Sequence, residues 1–118
     1  MSLITILLIA FVALEHLYFL VLEMFLWTSS AGMRAFGIRS KEFAESTKVI
    51  AANQGLYNGF LAAGLGWSII DQNTTIAFFF LGCVILAGIF GAASTKKIKL
   101  FYVQSIPAIL AVLTILFN

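Results

Sequence analysis

Glu15, His16 and Glu23 lie in one otherwise apolar stretch, Leu3 to Trp27. Carboxyls beside an imidazole are the equipment of acid–base chemistry. A histidine gives or takes a proton near neutral pH, and a carboxyl in a low dielectric favours its neutral form. An ionisable group at the centre of a bilayer costs roughly 2.5–3.5 kcal/mol on insertion scales. Three in one run point to a ligand-related site, and these are the candidate catalytic residues. The amides Asn53, Gln54, Asn58 and Gln104 are candidate ligand-binding groups, suited to orient a polar head or stabilise an oxyanion. Tyr18 and Tyr57 are candidate donors, and Trp27 joins them as a ligand-binding candidate.

The elements that carry these groups follow from composition. The chain has 118 residues, 62% hydrophobic and 10% charged, with a mean hydropathy of +1.07. A soluble domain carries about a quarter charged residues, so the solvent implied here is lipid. The net charge of +2 gives no argument for a nucleic-acid partner. Cys83, the single cysteine, sits in an apolar run and reads as a small buried hydrophobe. The first apolar run has no basic segment before it and outlasts a signal-peptide core, so it is expected to be a retained helix.

A span needs about 20 mostly apolar residues. Four candidates predict an all-α fold: a four-helix transmembrane bundle forming one integral membrane domain over residues 1–118. The spans are expected at about 3–27, 49–70, 75–93 and 98–117, antiparallel and up-down because the second and third connections are short. Arg34, Arg39, Lys41 and Lys48 fall between the first two spans, and Lys96, Lys97 and Lys99 between the last two. The positive-inside rule makes both basic loops cytoplasmic and both termini external. Gly32 and Gly37 are expected to break helix, and Ser40 to cap the start of the second long helix. Pro107 is expected to disturb the carbonyl of Val103, beside Gln104.

Depth and helical angle sharpen the site. Glu15 and His16 fall near the middle of the first span, and Glu23 about 12 Å further toward the cytoplasm. Asn53, Gln54, Asn58 and Gln104 also fall between the midplane and the cytoplasmic surface. One polar cavity in the cytoplasmic half is therefore expected. His16, Leu20, Glu23 and Trp27 share a line on the first helix, and Glu15 points about 100° away from His16. On the second helix Asn53, Gln54, Tyr57 and Asn58 form one arc, and Gly55, Gly59, Ala62 and Gly66 the other. The Gly55/Gly59 pair has the GxxxG spacing that lets helices approach closely, and it is compatible with a homodimer through that face. Gly82, Ala87, Gly88, Gly91 and Ala92 give the third span its small-residue packing.

Two runs carry a family resemblance: Glu15-His16-Leu17-Tyr18-Phe19 with Leu22-Glu23-Met24-Phe25-Leu26-Trp27, and Ala52-Asn53-Gln54-Gly55-Leu56-Tyr57-Asn58-Gly59-Phe60-Leu61-Ala62-Ala63-Gly64. They resemble a family of small bacterial membrane proteins catalogued as domain of unknown function 1304. The resemblance spans the chain. It implies a compact four-span protein of a bacterial cytoplasmic membrane and brings no activity with it.

The residues leave three functions open. The first is a cavity for a small amphipathic or lipid-like ligand, with acid–base chemistry by Glu15, His16 and Glu23 as an extension. The second is a proton-coupled transporter using Glu15 or Glu23. The third is a structural protein whose polar groups only fix helix packing. No nucleophile motif supports covalent catalysis. No cofactor is implied, and no metal site, since His16 and Glu23 stand about 10.5 Å apart along the helix. Membrane lipids are the expected surroundings.

Overall fold

The computed structural model describes residues 1–117. The chain is all-α, with no strand among those residues. Helix α1 spans Leu3–Met24, α2 Ser30–Ala35, α3 Lys41–Ile70, α4 Thr74–Thr95 and α5 Ile106–Leu116, with a π-helical turn over Phe101–Ser105. Helices α1 and α4 are long and apolar enough to cross a membrane. The apolar helix Phe101–Leu116 is shorter.

Contacts gather the chain into two compact regions: 15–60, and 1–14 together with 61–117. The larger has a core of Ile9, Val12, Leu65, Ala77, Leu81, Val84, Ala108 and Ala111, drawn from α1, α3, α4 and α5. In the smaller, Leu22, Ala44 and Ala51 are buried.

Much of the outer surface is apolar, and a few polar side chains lie buried beside the apolar core. Helix α1 exposes Leu3, Leu7, Phe11, Leu14, Tyr18 and Val21 at helical spacing, while Thr5 and His16 are buried. Ser68 and Ser105 are buried as well. In the larger region the hydroxyls find partners. Thr5 Oγ1 donates to Thr114 Oγ1 at 2.8 Å, and Thr114 Oγ1 to the Ala111 carbonyl at 2.7 Å.

Several boundaries move from the expected ones, each for a local reason. Helix α3 starts at Lys41, ahead of the span expected from 49 and where the Ser40 cap was expected: Ser40 Oγ accepts the Phe43 N–H at 3.1 Å. Helix α1 stops at Met24, so Trp27 lies beyond its end. Ser29 closes that turn, donating its Oγ to the Leu26 carbonyl and accepting from Gly32 N. Gly32 therefore sits inside a short helix rather than breaking one. It is needed because a Cβ there would overlap the Leu26 carbonyl. Gly37, with φ at 66°, does turn the chain out.

The fourth apolar stretch is not one regular helix. Ile106 N–H bonds to the Phe101 carbonyl, five residues back. Pro107 follows at once in the first turn of α5. Proline supplies no N–H and its ring crowds the carbonyl four residues earlier. One wider turn makes room for it, a common form of interruption in helices.

Gly88 lies against this turn. A Cβ there would overlap Ser105 Oγ and come within 3.1 Å of Ser105 N. Ser105 Oγ donates to the Ile85 carbonyl at 2.9 Å. Gly82, expected to serve the same packing, faces open space.

Candidate functional site

The smaller region holds the site. The end of α1 runs into the Phe25–Ser29 turn, and α3 passes beside it. Between them lies a cleft of about 480 Å³. Met24, Phe25, Val49, Ala52 and Leu56 give it apolar walls, Trp27 an aromatic one, and Glu23, Thr28, Lys48 and Asn53 its polar groups.

Glycine sets the approach of the two helices. A Cβ at Gly55 would lie 2.6 Å from Met24 Cγ, 3.1 Å from Glu23 Cβ and 3.2 Å from the Leu20 carbonyl oxygen. At Gly59 it would lie 2.7 Å from Leu20 Cδ1. The GxxxG pair thus faces α1 of the same chain. Gly66 faces open space.

The same approach delivers Asn58 to Glu23. Asn58 stands three residues past Gly55, one helical turn along the same side. Its Nδ2 donates to Glu23 Oε1 at 2.5 Å. An ionised carboxylate has about four acceptor sites, and a protonated one can also donate. One bond thus orients Glu23 and leaves capacity for a ligand. Asn53 lines the cleft with its Nδ2 donating to the Val49 carbonyl at 2.9 Å.

Trp27 is fixed from outside the cleft. Its Nε1 donates to Thr47 Oγ1 at 3.0 Å, and its ring lies 5.0 Å from that of Phe36. Thr47 Oγ1 in turn donates to the Phe43 carbonyl at 2.8 Å. Lys48 pairs with Glu45 at 3.3 Å on the exposed side of α3.

Of the ten sequence-predicted site residues, the cleft brings together Glu23, Trp27 and Asn53, with Asn58 bonded to Glu23. The others do not line it. His16 is fully buried and packs edge-on to Phe19, ring centres 5.3 Å apart. Glu15 has its Oε1 buried without a hydrogen bond among the described residues. Tyr18, Gln54 and Tyr57 are exposed. Gln104 belongs to the π-helical turn of the larger region, next to Gly88. Lys48, read in the sequence only as a loop charge, lines the cleft one helical turn before Ala52, and Thr47, which holds Trp27, carried no sequence signal of that role. Among the described residues no three His, Cys, Asp or Glu side chains gather to hold a metal.

A family model described as "Protein of unknown function (DUF1304)" matches residues 10–116. Over 120 residues the chain is 32% identical to the "Uncharacterized protein YpaA" of Lactococcus lactis subsp. lactis (strain IL1403), covering 99% of this chain and 100% of the relative. No solved structure matches.

Proposed function

The chain belongs to the DUF1304 family, and we propose that it is a four-span protein of a bacterial cytoplasmic membrane that holds a small amphipathic or lipid-like molecule in the Glu23 cleft. Apolar walls would take the tail, and Glu23, Asn53 and Lys48 the polar end. The carrying observation is Glu23 itself: a carboxyl oriented by Asn58 and set among Met24, Trp27, Ala52 and Leu56. A carboxyl in such surroundings is costly unless it is used.

The membrane part of the reading rests on α1 and α4, on the large exposed apolar surface and on the basic loops. It makes α3 and the Phe101–Leu116 helix the remaining spans, with both termini external. A C-terminal reporter active only in the cytoplasm should stay silent. The binding reading needs Glu23 alone of the three ionisable groups. Joint acid–base chemistry with Glu15 and His16 is not part of it, because neither lines the cleft.

Mass spectrometry of small molecules extracted from detergent-purified protein tests the binding. The wild type should retain an amphiphile that Ala52→Phe, which fills the cleft, loses and Glu23→Gln retains less. Equal retention by all three proteins would leave Glu23 a packing residue. Proton release on adding a hydrophobic cation to the wild type would mark transport by the same carboxyl.

A further inference from the structure

A second groove lies in the larger region, at the turn joining α4 to the π-helical turn. It has a volume of about 540 Å³ and is lined by Ile89, Ala92, Ala93, Ile98 and Phe101, with Lys96 among them. Five of its six residues are apolar. Lys97 and Lys99 are exposed on the same turn.

The charge there is unbalanced. Among the described residues of the larger region the only acidic side chain is Asp71, at the other end of α4. That end is about 33 Å away along a 22-residue helix, beyond the screening distance of about 10 Å. Among the described residues none of the three lysines makes an ion pair. A cation suits a helix C-terminus and lysines suit a cytoplasmic loop, but neither calls for an apolar trough beside them.

Lys96 also holds a left-handed conformation, φ 59° and ψ 29°, at the end of α4. Glycine is the residue that position favours. The chain places a lysine there at a backbone cost.

We infer that this groove binds one anionic phospholipid. An acyl chain lies along Ile89, Ala92, Ala93, Ile98 and Phe101, and the phosphate meets Lys96, Lys97 and Lys99. Charge complementarity selects the occupant: an apolar trough lined by Lys96, with Lys97 and Lys99 exposed on the same turn, fits a tail joined to an anion. Basic pockets beside membrane helices recognise anionic headgroups in this way. The site is independent of the Glu23 cleft.

The test titrates the purified full chain in mild detergent with labelled phosphatidylglycerol and, separately, phosphatidylcholine. Phosphatidylglycerol should bind at one per chain and phosphatidylcholine much more weakly. Lys96→Gln/Lys97→Gln/Lys99→Gln should weaken binding on the order of a hundredfold, and the matching triple arginine variant should retain it. Ala93→Phe, which keeps every charge and blocks the trough, should also lose it. Millimolar glycerol 3-phosphate should not compete. Equal binding of the two lipids in the wild type, a measurement that needs no variant, would overturn the site. So would wild-type binding by Ala93→Phe, which would reduce it to a diffuse basic surface, or effective competition by glycerol 3-phosphate.

Discussion

The two regions bury polar groups of different kinds. In the larger, Thr5, Ser68 and Ser105 are hydroxyls, each bonded to a backbone carbonyl or to another hydroxyl. Such groups travel into lipid cheaply and serve packing. In the smaller, the polar groups include carboxyls and an imidazole, and one carboxyl faces a cleft. An interhelical hydrogen bond contributes only about 0.6 kcal/mol on average in membranes. That accounts for a serine, but falls short of the cost of a glutamate. On the proposed reading, the contrast separates groups that fasten helices from groups that await a ligand.

Gly55 in the smaller region and Gly88 in the larger each set a close approach of helical segments, which offers the severest test of the comparison. Gly55→Val and Gly88→Val should each destabilise by about 3 kcal/mol, because each new side chain meets backbone as well as side-chain atoms. Thermal unfolding in detergent would show it. The milder Gly88→Ala should leave the proposed cleft amphiphile in place while Gly55→Ala displaces it; loss from both would dissolve the distinction.

Removing single polar partners comes next. Asn58→Leu should cost roughly 1–3 kcal/mol, since it strips Glu23 of its donor. Ser105→Ala should cost about 0.6 kcal/mol. Similar values for the two in denaturant titrations would mean that Glu23 behaves like the hydroxyls. The smallest effect belongs to Gly66→Ala and Gly82→Ala, both in open space. Each should stabilise by up to ~1 kcal/mol through helix propensity, seen as a small rise in Tm.

The helical content and the cap at Ser40 were legible in the sequence, because apolar runs and capping residues are local signals. So was the line His16–Leu20–Glu23 on α1. Its opposing surface was not. Angular sorting put Asn58 with Asn53 and away from Gly55, yet Asn58 borders the glycine pair and reaches Glu23 from that side. Which face of a helix meets its neighbour is decided by packing across the gap, which no single helix encodes. The same holds for Gly82 and Gly88, alike in sequence and opposite in role. Pro107 announced a disturbance near Val103, but its form as one wide turn depends on Gly88 leaving room for Ser105.

Trp27, on the wall of the cleft with its indole nitrogen tied to Thr47, has an optical consequence. The chain contains two tryptophans, and the other, Trp67, belongs to the larger region. Trp67→Phe would leave a single emitter, seated where the proposed ligand goes. Its colour would then read the wetness of the cleft directly, and an amphiphile with a brominated tail would dim it on contact. The protein thus carries its own fluorescent gauge of occupancy, with no label to add.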